Sequence, residues 1–188
     1  IISLLSRTQG LALSLAGAVP AGLSLAQLSD RELFDRLFHQ RHDDAPDLRQ
    51  AAEALALVYS FSVEPDEEGV DELALLGSLC GQDRLRMHRA SAELLRRQIA
   101  QQRGRWRAVL PHAIANRLAA SALDNIPTGF VEEVLVQRGS RRLLRSFARR
   151  LGYLHDHPVA RRIVGAWLAP NGLLSDLSNL KDIGVDVL

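Results

Sequence analysis

The sequence lacks the features that would tie the chain to a membrane or to an oxidising compartment. Cys80 is its one cysteine, so a disulfide within the chain is excluded and a reducing, cytoplasmic setting is predicted. The apolar stretch from Leu11 to Leu25 is interrupted by Gly17, Pro20 and Gly22, which makes it too short to span a membrane. It also lacks the basic start of a signal peptide.

The chain carries no strong net charge either, since its formal charge is +1 over 188 residues. No global field therefore draws it to nucleic acid. The charge is unevenly distributed, however. Residues 43–72 hold ten acids and one base, residues 84–117 hold nine arginines, and residues 138–162 hold eight arginines and one acid. We expect these surfaces to pair with each other or with water.

Sequence motifs of known enzymes are missing as well. The chain contains no P-loop pattern GxxxxGK[ST], and no GxSxG, HExxH or CxxC. We therefore expect no catalysis from this chain itself, and we predict no metal site. Because it begins at Ile1 rather than at Met, we interpret it as a piece of a longer protein.

A helical pattern opens the stretch from Asp71 to Asn116. Leu73, Leu76 and Leu79 recur every three residues, and Gly81 follows them as a helix stop.

The next segment, residues 83–98, predicts a second helix. Leu85, Ala92 and Leu95 are placed on its inner face, close to a seven-residue repeat.

A change of period follows this second helix. Residues 99–103 and 105–110 read as two short strands around Gly104, and the side chains of the second alternate with a period near two. Pro111 ends the second strand, and a new helix is predicted near His112. The order helix, turn, helix, basic hairpin predicts a winged helix.

The whole chain is predicted to be mostly α, with one small β-hairpin as the wing. We divide it into a helical lid at residues 1–45, a winged-helix domain at residues 46–126 and a helical domain at residues 127–188. Trp106 and Trp167 are expected to be core residues.

Two short motifs flank the predicted winged helix. Gln9 to Leu13 reads QGLAL and is similar to the GLPL motif, with Ala12 where that motif has proline. Leu110 to Ala113 reads LPHA and is similar to the MHD motif, of which it keeps His112. With the winged helix between them, residues 1–126 resemble the ARC region of STAND-class signalling ATPases, the group that includes NB-ARC and NACHT proteins.

The resemblance implies a regulatory role in a signalling or defence protein, and the composition of the chain suggests that this protein is bacterial. The lid and winged helix would close over ADP and open for signalling or assembly. ADP or ATP with Mg²⁺ would be bound mainly by an upstream domain, and the intact protein would be an ATPase if a P-loop lies there. The partners would be that upstream domain, downstream helical repeats and further copies of the protein, with no membrane.

Within this resemblance, three residues contact the nucleotide. His112 corresponds to the histidine that reaches the β-phosphate of ADP, and Gly10 and Leu11 would pack beside the adenine. Ala113 stands where the family has an acid. A purely structural role for His112, packed under the wing, remains open.

The residues themselves leave a DNA-binding regulator as the alternative. The helix at residues 83–98 would then be the recognition helix, and it would act together with the wing. The arginines that would contact DNA, or in a switch protein other parts of the chain, are Arg84, Arg86, Arg89, Arg105 and Arg107. Nucleic acid is the less favoured partner because the net charge is small. A helical interaction module without a ligand is the third reading.

Overall fold

The computed structural model describes residues 46–65 and 69–187, together with residues 29, 32, 34, 37 and 38. The chain divides into two compact units, Ile1–Arg49 and Gln50–Leu188. The predicted lid motif with Gly10 and Leu11 lies outside the described residues.

The described part of the first unit begins with a capping box. The Ser29 backbone N–H donates to the Glu32 carboxylate at 3.0 Å, and the Glu32 N–H donates to the Ser29 hydroxyl at 3.3 Å. Phe34 and Phe38 are buried and meet edge to face, and the Arg49 guanidinium lies 4.7 Å from the Phe34 ring centre.

The described chain from residue 46 onward is mostly helical, with one small antiparallel sheet. The helices are α1 Pro46–Ala56, α2 Glu72–Ser78, α3 Arg84–Arg96, α4 His112–Asn125, α5 Thr128–Glu132, α6 Arg141–Gly152, α7 Pro158–Leu168 and α8 Leu177–Asp182. A π-helical turn at Glu133–Gln137 continues α5, and a 3₁₀ turn at Gly184–Asp186 follows α8. The strands are β1 Phe61–Ser62, β2 Ala100–Arg103 and β3 Trp106–Val109.

Side-chain caps explain where several of these helices begin. Asp71 accepts from the N–H of Ala74 at α2, Asp83 caps α3, and Ser140 caps α6 in the same way. Each cap satisfies a backbone donor that the first helical turn leaves without a partner.

The sheet has the strand order β1-β3-β2, and both pairings are antiparallel. Gly104 has a φ of +57° in the tight β2–β3 turn, a conformation that favours glycine. The order α1-β1-α2-α3-β2-β3, with β1 against β3, is that of a winged helix. The predicted fold class is therefore confirmed.

Strand β1 was not predicted, since the sequence indicated only the two strands on either side of Gly104. The strand has only two residues, Phe61 and Ser62, and both are buried. A two-residue strand has no detectable period, and it exists here through its pairing with Arg107 and Trp106 of β3.

The predicted inner face of α3 was wrong. Leu85 is 56% exposed, whereas the buried side of the helix is formed by Met87, Ala90, Ser91 and Leu94. These four positions follow the i, i+3, i+4, i+7 pattern of one helical face. Alanine and serine contribute little to a hydrophobic pattern. The prediction therefore followed the more apolar Leu85 and Leu95, which lie outside the buried side of the helix.

The helices after the wing pack through their apolar faces. Ile114, Leu118 and Leu123 of α4 are buried, and so is the leucine and phenylalanine face of α6. Trp167 is buried against Phe147, with ring centres 5.9 Å apart, which confirms its core role. The separation of a winged-helix domain from a helical domain near residue 126 stays a prediction.

Trp106 is not a core residue, contrary to expectation. Its ring is partly exposed and lies between two guanidinium groups, those of Arg105 at 4.7 Å and Arg142 at 4.5 Å from the ring centre. The inward side of β3 carries Arg107 and Val109 instead.

Among the described residues, no helix combines the length and apolar character needed to cross a bilayer.

Candidate anion-binding site

His112 is the first residue of α4 and follows directly after the wing. Pro111 precedes the helix in an extended conformation and provides no side-chain cap. The His112 side chain is exposed. An exposed histidine at an uncapped helix N-terminus stands beside free backbone donors and the positive end of the helix dipole.

Three rings form an aromatic cluster around this position, made of Tyr59, His112 and Tyr153. Their centres lie 5.2 Å, 5.8 Å and 6.1 Å apart, and their planes differ by only 15° to 21°. Three nearly equal separations describe an offset layer of rings, since a stacked column would place two of the rings much farther apart. The Tyr59 hydroxyl is 3.5 Å from His112 Nε2.

Two guanidinium groups lie next to this cluster. Arg149 lies over the Tyr59 ring at 4.0 Å from its centre, and Arg150 is 5.8 Å from the same centre. The pKa of His112 lies below its ordinary value of 6.5, first because the neighbouring side chains cover part of the otherwise exposed ring and desolvate it, and then because of the charges of Arg150 and Arg149. The imidazole is therefore neutral at neutral pH, with one donor and one acceptor nitrogen.

Arg150 is fully buried, which is unusual for a charged side chain. Its Nη1 donates to Asn116 Oδ1 at 2.5 Å, while Nε and Nη2 have no hydrogen-bond partner. Burial lowers the pKa of Arg150 to about 10, and interaction with Tyr59 and Tyr153 opposes this shift. The cation beneath the cluster is thus incompletely compensated, which makes the site electropositive.

An open groove of about 520 Å³ adjoins the aromatic cluster along α6. We call it the arginine groove, and the residues that line it are Tyr59, Ser60, Arg141, Arg142, Arg145, Ser146, Arg149 and Asp182. Tyr59 and Arg149 belong to both the groove and the surroundings of His112. The two features therefore form one continuous surface.

Two carboxylates hold three of the groove's arginines. Arg142 makes a two-point ion pair with buried Glu72, at 2.6 Å and 2.5 Å. Arg141 and Arg145 pair with Asp182 at 2.6 Å and 3.2 Å. The first pair links the winged helix to α6, and it shows that part of the acidic segment meets part of the basic one, as the charge distribution predicted.

The five arginines predicted for DNA or intramolecular contact do not form one surface. Arg84 pairs with Asp71 at 2.5 Å. Arg107 is buried and donates to Ser91 at 2.5 Å, and its burial lowers its pKa. Both make the intramolecular contacts that were one of the two predicted roles.

The remaining three of these arginines lie at the surface in different settings. Arg105 packs over Trp106, whereas Arg86 and Arg89 are exposed on α3.

The sequence suggested His112 as a candidate site residue but gave no indication of the side chains around it. Tyr59, Tyr153 and Arg150 come from three distant segments, and no local pattern connects them. The spacing of Arg141, Arg145 and Arg149 was visible as a four-residue repeat, but such spacing alone does not distinguish a binding surface from a solvated helix face.

Among the described residues, no group of three histidine, cysteine or acidic side chains could hold a metal ion.

Comparison with known proteins yields no family for this chain. No protein-family model matches it, and searches of curated proteins and of solved structures find no match either.

Proposed function

We propose that this chain is the regulatory winged-helix region of a nucleotide-dependent switch ATPase of the STAND class. His112 would contact the phosphates of ADP bound to an upstream domain and hold the protein closed. The observation that supports this proposal best is the position of His112, exposed at the start of α4 and flanked by Arg149 and Arg150.

The chemistry of this position suits a phosphate. A neutral imidazole can donate one N–H to a phosphate oxygen, and the uncapped start of α4 adds backbone donors and a favourable dipole. The two arginines supply positive charge at this position, and this charge contributes to the lowered pKa of His112. Ala113 stands where the resembling family has an acid, so His112 would contact the phosphate without a neighbouring carboxylate to orient it.

The switch would act through the movement of this region. The Glu72–Arg142 pair joins α2 to α6, so His112 and the arginine groove would move together when the winged helix leaves the nucleotide. ADP would favour the closed arrangement because His112 contacts it only there, and ATP would favour the open one. Mg²⁺ and the adenine would be held mainly by the upstream domain, with Gly10 and Leu11 beside the base.

The first test concerns the sequence upstream of Ile1 in the intact protein. We expect a P-loop there within about 150–250 residues, the span of ordinary domains. If the upstream region has no P-loop, then no upstream domain of this class binds ADP, and the proposed contact between His112 and ADP is excluded.

The second test measures ADP in the intact protein. We expect His112→Leu to lower the amount of ADP that copurifies with the protein and to speed its release. His155→Leu is the matched control, because His155 is also an exposed histidine but lies in the turn after α6 and is not one of the three rings of the cluster. Unchanged ADP release in the His112 variant would exclude the proposed contact.

One observation favours DNA binding as a second candidate function. Arg86 and Arg89 point outward from α3, the helix that would enter the major groove. If the chain binds duplex DNA in this way, Arg86→Ala with Arg89→Ala lowers the affinity, and the affinity of the unmodified chain falls steeply with salt. A flat salt response would rule out binding dominated by phosphate contacts.

A further inference from the structure

Three arginines follow one another along the exposed side of α6. Arg141, Arg145 and Arg149 are four residues apart, which places successive Cα atoms about 6 Å apart along the helix axis. All three are exposed, and all three line the arginine groove. A regular row of cations can follow a chain of phosphates, whereas a single compact anion would contact only one or two of them.

Asp182 already places an anion against this row. Its carboxylate meets Arg141 Nε at 2.6 Å and Arg145 Nη1 at 3.2 Å. Asp182 ends α8, a helix of six residues in which none is buried. Exposed ion pairs of this kind contribute little to stability, so a phosphate can replace the carboxylate at little cost.

The groove leads directly to the aromatic cluster. Tyr59 lines the groove, and Tyr153, which is 45% exposed, lies 6.1 Å from it. Aromatic faces beside a basic groove are what proteins use to bind single-stranded nucleic acid, because bases stack on the rings while cations follow the backbone. A duplex would keep its bases paired and away from the rings.

We propose that the arginine groove binds the phosphodiester backbone of a single-stranded nucleic acid, with its bases against the aromatic cluster and Asp182 in the place of a phosphate when no strand is bound. This function goes beyond the proposed nucleotide switch, since it needs neither an upstream domain nor the ADP contact of His112. It also differs from the DNA-binding candidate, which uses α3 and the wing.

The test is a titration of a fluorescently labelled oligothymidine with the full chain, followed by anisotropy. Three phosphate contacts predict that the logarithm of the affinity falls with the logarithm of salt with a slope of about −2. Arg145→Ala with Arg149→Ala should weaken binding by about tenfold or more and make that slope shallower by about 1.4. The matched control is Arg161→Ala with Arg162→Ala, which removes the same charge from exposed positions on α7 outside the groove.

A second variant tests the role of Asp182. Asp182→Asn should tighten binding by about threefold or more, because it removes a carboxylate that competes with the strand for two arginines. Asp156→Asn removes an equivalent charge from an exposed site outside the groove and should not tighten binding to the same degree. Loss of structure cannot imitate a gain in affinity, so this variant separates binding from folding.

Three results would overturn the proposal. Equal losses in the two arginine double variants would mean unspecific attraction to positive charge. If Asp182→Asn binds the oligonucleotide no more tightly than the unmodified chain does, then the Asp182 carboxylate does not compete with the strand for the arginines. Binding of ATP without binding of the oligonucleotide would assign the groove to a free nucleotide rather than to a strand.

Discussion

Glu72 and Arg142 form a two-point ion pair between the start of α2 and the start of α6. Arg142 Nε and Nη2 lie 2.6 Å and 2.5 Å from the two carboxylate oxygens, and Glu72 is fully buried. Glu72 also accepts from the backbone N–H of Ser62 in β1. One acidic side chain thus ties the first strand and second helix of the winged helix to the basic helix that lines the groove.

We expect Glu72→Gln to lower the free energy of unfolding by about 2–4 kcal/mol, because breaking a buried pair leaves Arg142 without its counter-charge. Arg141→Ala, which breaks only an exposed pair with Asp182, should cost no more than about 1 kcal/mol. Urea denaturation of both variants measures the difference. A loss for Glu72→Gln no larger than that for Arg141→Ala would show that the pair does not hold the two parts together.

Arg150 should be replaceable by an apolar residue without loss of stability. Its pKa of about 10 in the folded chain lies below the ordinary value of an arginine, so above pH 10 the unfolded chain binds more protons than the folded one and stability rises with pH. Below pH 10 the buried charge therefore opposes folding.

Arg150→Met removes the charge and its two unpartnered nitrogens while filling similar space, so its free energy of unfolding should equal or exceed that of the unmodified chain. Arg150→Ala leaves a cavity and should lose about 2–4 kcal/mol. Thermal and urea unfolding of the two variants checks both. A large loss in Arg150→Met would mean that the charge has a stabilising partner.

His112 should make the chain less stable in acid. Because its pKa is lowered below 6.5, the unfolded chain takes up a proton more readily than the folded one. Stability is then complete above pH 6.5 and falls as the pH drops through 6.5 towards the folded value.

His112→Gln should remove this part of the acid sensitivity, and Arg149→Ala should raise the pKa of His112 by removing one nearby charge. Urea denaturation on both sides of pH 6.5 measures the first effect, and NMR titration of the His112 ring measures the second. An unchanged pKa of His112 in Arg149→Ala would mean that the charge of Arg149 does not act on the His112 ring.

Local sequence patterns predicted most of the helices and the hairpin, but they predicted few of the residues that surround His112. The hairpin was predictable because Gly104 precedes a segment with a period near two, and α6 was predictable because Ser140 precedes a clear apolar stripe. Strand β1 and the π-helical turn were missed because both depend on their tertiary surroundings. The same is true of the site, since Tyr59 meets His112 only through the packing of α1, α4 and α6.

Gly77 in α2 should not tolerate even one additional methyl group. A Cβ at this position would collide with the carbonyl oxygen of Gln82 and would lie 2.9 Å from the Met87 side chain, which is itself fully buried. Because that carbonyl is backbone in the turn between α2 and α3, it cannot move aside without displacing α3. We expect Gly77→Ala to lower the free energy of unfolding by about 1–3 kcal/mol, the usual cost of overpacking.

Gly165 in α7 gives the matched control, since a Cβ there meets nothing within 4 Å. Gly165→Ala should raise the free energy of unfolding by about 0.5–1 kcal/mol, because alanine restricts the unfolded chain and favours the helix. Urea denaturation of the two variants should therefore give changes of opposite sign. If Gly77→Ala is as stable as Gly165→Ala, then α2 and α3 do not approach each other as closely as the turn at residues 79–83 requires, and the placement of α3 against the wing would have to change with it.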